Sequence, residues 1–152
     1  MANNKSSLAV AALRNGTVID HIPTNALFKV VKLLDLETSE NQLTIGNNLV
    51  GASGKKGIIK VADVFLHQDV LNRIAIIAPD AVVNIIKEYE VVEKLKVVLP
   101  DSIIGLVKCD NPKCICNNEP MVTRFHVVDM QRGLLRCYYC NHTVNTINAT
   151  IL

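Results

Sequence analysis

Tryptophan is absent from this 152-residue chain, and three Phe and three Tyr are its only other large aromatics. A sheet that binds single-stranded nucleic acid stacks bases on such rings, so that class is poorly supplied here. An excess of one charge is also lacking: 16 Lys and Arg stand against 14 Asp and Glu, a weak footprint for a polyanion. No apolar run approaches the ~18 residues that a membrane-spanning helix needs. Met1–Ser7 (MANNKSS) has one lysine and no apolar core, unlike a signal peptide. Walker and Rossmann glycine patterns do not occur, and Gly51–Gly57 (GASGKKG) lacks the terminal Gly-Lys-Ser/Thr of a P-loop. Repeats and low-complexity tracts are missing too. These absences predict a soluble, cytoplasmic protein with no nucleic-acid or membrane partner.

Cysteine is absent from residues 1–108, and all five cysteines lie in the last third. Four form two pairs, Cys109-x4-Cys114 and Cys137-x2-Cys140, with 22 residues between them. Thiolates are preferred ligands of tetrahedral zinc, and four of them leave no open position for water or substrate. That pattern predicts one structural Zn2+ that builds a domain and does no chemistry. Two disulfides are the rival reading, and they would require an oxidising compartment. Cys116 follows Cys114 after one residue and reads as a bystander in or beside the site.

Composition shifts near Pro100, which predicts domains over residues 1–100 and 101–152. The second part has 52 residues, too few for a generous core, and a metal supplies folding free energy in such cases. Residues 1–100 carry 11 basic and 10 acidic side chains, and residues 101–152 carry 5 and 4. Four thiolates and one Zn2+ would take the second part from +1 to about −1.

Along the chain, Leu8–Leu13 reads as a buried strand, Asn15-Gly16 as a turn and Thr17–Ile22 as a strand stopped by Pro23. From Asn25 to Leu36 the residues Leu27, Val30, Val31 and Leu34 mark one face of a helix. Gln42–Leu49 and Ile58–Phe65 read as strands joined through a flexible turn at Gly51–Gly57, giving a hairpin. Asp69–Ala78 repeats the helical pattern and ends at Pro79, and Val82–Val98 is one strand or two. The order β-α-β-β-α-β predicts an α+β fold, a ferredoxin-like split βαβ sandwich, followed by a small all-β zinc domain.

On a strand, Lys56, Ile58 and Lys60 share one face, and Asn84 and Lys94 have matching parity on the last strand. Two ammonium groups flanking an apolar residue suit a phosphate with a base or sugar alongside. A solvated lysine row that blocks edge aggregation explains the same pattern. Asp20-His21 interrupts an apolar segment, as either a local hydrogen-bonded cap or a pair of groups for a sugar hydroxyl or phosphate. No third group completes a nucleophile–base arrangement, so catalytic residues are not expected.

Taken together, Gly16–Pro23 (GTVIDHIP), Thr44-Ile45-Gly46, Lys56 with Ile59-Lys60, Tyr89–Val92 and the four paired cysteines resemble the regulatory chain of aspartate carbamoyltransferase. The resemblance is nearly collinear from Leu8 to the end. It implies a noncatalytic, hetero-oligomeric subunit in pyrimidine biosynthesis. Its first domain would bind nucleoside triphosphate effectors, CTP and ATP with UTP as a further candidate, and pair with a second regulatory chain as a homodimer. Its zinc domain would dock on the catalytic chain. Matched position by position, the nucleotide site comprises Val10, Ala12, Val18, Asp20, His21, Lys56, Lys60, Asn84, Ile86, Tyr89, Val91 and Lys94. Cys109, Cys114, Cys137 and Cys140 would be the zinc ligands, with Asn111 and Lys113 at the partner interface. Ala11 stands where well-studied members have Glu, and Lys113 where they have Asn. The competing classes are a zinc-ribbon nucleic-acid-binding accessory protein, which would bind with strong salt dependence, and a nucleotide-processing enzyme, for which a P-loop and a carboxylate cluster are missing.

Overall fold

The computed structural model describes residues 12–152, and the chain forms two compact units, Met1–Val98 and Leu99–Leu152. Val10 and Ala11 lie outside the described residues, as does most of the strand expected over Leu8–Leu13. Its last two residues carry no regular structure.

Unit one contains β1 (Gly16–Ile22), α1 (Leu27–Leu33), β2 (Leu43–Gly51), β3 (Gly54–Ala62), α2 (Gln68–Ile74), β4 (Val82–Lys87) and β5 (Glu90–Lys96). The sheet runs β2-β3-β1-β4-β5, and every pairing is antiparallel. Its first four strands, with the two helices, form the split βαβ arrangement. The fold is therefore α+β and ferredoxin-like, extended by one edge strand.

One face of the sheet carries the core. Ile19 pairs with both Ile59 and Val83, and all three are fully buried with Leu27 and Val30 of α1 and Leu71 and Ile74 of α2. A Cβ at Gly57 would fall 2.9 Å from Leu27 Cδ1, which shows how closely α1 lies on β3. Burying a Leu or Ile side chain is worth about 1.5–3 kcal/mol, so this shared face dominates the unit's stability. Thr17, also fully buried, ties β1 to the segment after β3. Its hydroxyl donates to the Val64 carbonyl at 2.6 Å and accepts from the Leu66 N–H at 3.3 Å.

Both helices are shorter than their periodicity predicts. Past α1, Asp35 adopts φ 52°, and this left-handed residue ends the helix before a 3-10 turn at Leu36–Thr38. After α2, Ala75, Ile76 and Ile77 donate to carbonyls three residues back, at 3.3, 3.2 and 3.1 Å. The helix tightens into 3-10 geometry ahead of Pro79. The expected hairpin forms with a tighter turn than its seven-residue glycine-rich segment suggests: Gly51 pairs with Gly54, which leaves only Ala52 and Ser53 in the turn.

Val82–Val98 resolves into two strands. Glu88 and Tyr89 connect them with φ 49° and 67°, and both central residues at positive φ is the signature of a type I′ turn. Glycine or asparagine usually fills such positions. Here the Tyr89 N–H donates to the Arg14 carbonyl at 2.9 Å and the Glu88 N–H to Asn15 Oδ1 at 3.1 Å. Asn84 and Lys94 thus occupy different strands rather than one.

Unit two contains β6 (Ser102–Ile104), α3 (Ile115–Asn118), β7 (Arg124–Asp129), β8 (Leu134–Cys137) and β9 (Thr143–Asn145), in the order β6-β7-β8-β9. Ile103, Val107, Phe125 and Leu135 are almost fully buried beneath this small sheet. The chain end is tied in by a bridge between Val107 and Ile151. The unit is mainly β, as expected, but not wholly so, because a single helical turn follows Cys114.

Candidate functional site

The face of the first sheet opposite the core is organised by register. Thr44 lies opposite Lys60, Lys60 opposite Val18, Val18 opposite Asn84, and Asn84 opposite Lys94. Directly opposed residues share a face, so one row crosses all five strands and carries two lysines and one asparagine. A second row joins Ala62, Gly16, Ile86 and Val91.

Asp20 continues this face along β1. Its carboxylate takes a hydrogen-bonded ion pair from Lys56, at 2.9 Å to Oδ1 and 3.1 Å to Oδ2. Burial pushes the Lys60 ammonium below the usual lysine range, and the nearby Asp20 charge works against that fall. A bulge sits between Ile19 and Ile22, where β1 advances three residues while β3 advances two. His21, at φ 59°, is its left-handed residue, and bulges re-aim side chains in this way. The His21 N–H donates to Asp20 Oδ1 at 2.7 Å, and its Nδ1 stands 3.8 Å from Oδ2. Asn84 Oδ1 is enclosed, with no hydrogen-bond partner among the described residues.

A cavity of about 370 Å³ opens at one end of the row, lined by Ala12, Thr44, Lys60 and Tyr89 together with Gln42 and Asp63. That volume lies within the range of small-molecule sites. Of these lining residues Ala12, Lys60 and Tyr89 are expected from sequence; Gln42 and Asp63 carry no signal that β-strand periodicity would distinguish from ordinary surface positions. Tyr89 and Val91 are 65% and 56% exposed, and of the two Tyr89 lines the cavity. The predicted residues described here therefore converge on one surface, with His21 at its margin on the bulge.

In unit two, the two cysteine loops meet. Cys109 Sγ lies 3.7 Å from Cys140 Sγ, and Cys114 Sγ lies 3.7 Å from Cys137 Sγ. Four sulfurs bonded tetrahedrally at about 2.3 Å would be separated by about 3.8 Å. These two contacts therefore match edges of a zinc–thiolate tetrahedron. Cys116 Sγ, at 3.2 Å from Cys114 Sγ, is too close for both to be ligands of one regular tetrahedron. All five thiols are free of disulfides, which leaves the two-bridge reading without support.

Short hydrogen bonds shape the first loop. Asn117 Nδ2 donates to the Cys109 and Asn111 carbonyls at 2.8 and 2.7 Å, and Asn118 Nδ2 to those of Cys114 and Pro112 at 2.8 and 3.0 Å. Asn111 Oδ1 accepts from the Lys113 N–H at 3.0 Å, which helps shape its loop, while Lys113 is exposed. His142 Nε2 meets Asp110 Oδ1 at 2.7 Å and links the second loop to the first. Asn111 and Lys113 are singled out from sequence but Asp110, Asn117, Asn118 and His142 are not, although the Asn117-Asn118 pair just after the CxC run is a usable signal.

Burial pushes the Cys109 and Cys137 thiols up, and Cys116 to about 12. At Cys140 burial also opposes ionisation, but the His142 backbone N–H and the Asn111 side chain outweigh it and bring the thiol down to about 7. Buried thiols clustered this way need a cation before they ionise together. The all-sulfur donor set and the 3.7 Å edges fit zinc.

Comparison with known proteins agrees with both units. The family described as aspartate carbamoyltransferase regulatory chain, allosteric domain, matches residues 8–98. The family described as the metal binding domain of that regulatory chain matches residues 101–149. The aspartate carbamoyltransferase regulatory chain of Parabacteroides distasonis is 58% identical over 145 residues, covering 95% of this chain and 94% of the relative. That of Bacteroides fragilis is 52% identical over 153 residues, with full coverage of both. The Vibrio vulnificus counterpart is 40% identical over 140 residues, covering 91% of this chain and 92% of its own.

Proposed function

The chain belongs to the aspartate carbamoyltransferase regulatory-chain family, a noncatalytic subunit with allosteric and metal-binding domains, and from that premise we propose how its two units divide the work. Unit one binds a nucleoside triphosphate, CTP or ATP and in some combination UTP, on the open face of its sheet. Unit two, folded around one Zn2+, docks on the catalytic chain. A second copy of this chain completes the regulatory dimer, and the assembly works in the cytoplasm in pyrimidine synthesis.

The observation that carries the effector reading is the cross-sheet row from Thr44 to Lys94, with Lys60 at the cavity and Asp20 clasped by Lys56. In this reading Lys56, Lys60 and Lys94 meet the phosphates. Asp20, with His21 beside it, hydrogen-bonds the sugar. Val18 and Ile86 form the apolar floor, and Val10, Ala12, Asn84 and the backbone near Tyr89 and Val91 meet the base. Lysine is suited to this role as a compact cation whose three donors can follow a flexible triphosphate.

Zinc held by Cys109, Cys114, Cys137 and Cys140 would supply the cross-link and the folding free energy that so small a unit lacks. The chain's own part is to set the loop that carries Asn111 and Lys113, the proposed contact with the catalytic chain. An effector shifts activity only through unequal affinity for two quaternary states, typically with a coupling of about 1–3 kcal/mol.

The test is carbamoyl-aspartate formation by the cognate catalytic chain across aspartate concentrations, with and without this zinc-loaded chain, and then with CTP or ATP added. A curve shifted by the chain and shifted again by nucleotide supports the proposal. A curve indifferent to the chain, with no complex formed, overturns it.

A further inference from the structure

The metal centre has one more thiol than a tetrahedral ion can use, and the surplus sulfur is inside the cluster rather than near it. We propose that Cys116 is a reserve ligand of this centre, able to replace Cys140 as the fourth thiolate. The inference rests on the zinc reading and adds to it a second way of completing the site.

The Sγ atoms of Cys109, Cys114, Cys116 and Cys137 all lie within 4.8 Å of one another, and all four residues are buried. Cys140, the ligand expected from the C-x2-C spacing, is the one cysteine of the five that is only half-buried. It is therefore the ligand that water or a competing thiol reaches first. When it leaves, Cys116 already stands against the remaining three sulfurs on the first turn of α3. Opening its 3.2 Å separation from Cys114 Sγ to a tetrahedral edge of about 3.8 Å needs a side-chain rotation, with no refolding of the loop. The exchange balances: the Cys140–metal bond breaks and that sulfur takes up a proton, while Cys116 gives up its proton and forms the new bond. The plain alternative is that Cys116 only fills space, since a free cysteine packs as a small apolar side chain.

The experiment uses the full chain and its Cys116→Ser, Cys140→Ser and doubly substituted forms. Zinc stoichiometry, zinc affinity, transfer of zinc to a chelator and the thiolate-to-metal absorption of the cobalt-substituted chains are the readouts. Wild-type chain without zinc would fail the zinc reading itself, before any question about Cys116 arises. With one zinc bound in the wild type, Cys140→Ser is expected to keep one metal per chain and a four-thiolate cobalt spectrum. The double form should bind at least about tenfold more weakly than Cys140→Ser, the scale on which changes at a metal site act. Cys116→Ser alone should release zinc to the chelator several times faster than wild type. Equal affinity of Cys140→Ser and the double form overturns the proposal, whether or not either folds. So does a release rate unchanged by Cys116→Ser.

Discussion

Asp20 and Lys56 form a two-pronged ion pair, 2.9 and 3.1 Å from the ammonium to the two carboxylate oxygens, on the face where Lys60 also senses that carboxylate. The acid sits among cations that a phosphate would use, so it helps or hinders according to what else the ligand carries. A sugar hydroxyl gives Asp20 a partner, whereas a bare polyphosphate meets only its negative charge. Asp20→Asn is therefore expected to weaken CTP binding and to strengthen binding of inorganic tripolyphosphate. Calorimetric titration of both ligands reads the two signs, and a change of the same sign for both would remove Asp20 from sugar recognition.

Lys60→Ala should weaken CTP binding about tenfold or more, a loss of about 1.4 kcal/mol. The pH dependence has a definite sign. Lys60 holds its proton less firmly than an ordinary lysine because burial opposes its charge. An anion needs the charged form, so affinity should fall as pH rises through that lowered value, before ordinary lysines titrate. In Lys60→Arg that alkaline decline should vanish, since guanidinium stays charged. An identical pH profile for wild type and Lys60→Arg would assign the decline to another group.

Removing the metal should separate the two units' roles. Chelation, or Cys114→Ala, is expected to abolish association with the catalytic chain while CTP still binds the chain. Sedimentation for assembly and calorimetry for nucleotide binding read the two outcomes independently. Assembly that survives with zinc absent would show that the metal does not build the docking surface.

Thr17 tests the scaffold beneath the effector face. Its hydroxyl is the partner of both the Val64 carbonyl and the Leu66 N–H, and the residue is fully buried. Thr17→Val preserves the shape but strips both partners, at a cost of about 1–3 kcal/mol. Thr17→Ser, which keeps the hydroxyl, should cost less. Urea denaturation followed by a probe in the first unit gives the ranking, and equal stability of wild type and Thr17→Val would mean that water satisfies those two groups.

The parts read correctly from sequence were those governed by local spacing. The period-two face of Lys56 and Lys60, the helical stripe of Leu27, Val30 and Val31, and the two cysteine pairs each depend on residues a few positions apart. Helix ends were overextended, because the apolar stripe continues past the left-handed Asp35 and past α2 into 3-10 geometry. The last segment reads as one strand or two, because a Glu-Tyr turn carries no glycine or asparagine signal. Arg14 and Asn15, distant in sequence, accept its N–H groups.

By itself the sequence determined which residue types were available: four thiols at metal-ligand spacing, alternating strands and a balanced charge. Those are properties of neighbouring residues, and alternation and helical period translate them directly into faces. Tertiary structure alone decided which faces meet. The row Thr44–Lys60–Val18–Asn84–Lys94 depends on the register of five strands, the Asp20–Lys56 pair on β1 lying beside β3, and the entry of Cys116 into the cluster on the turn after Cys114. Each is a long-range or conformational choice, and one residue's slip in register would turn the same lysines into the core.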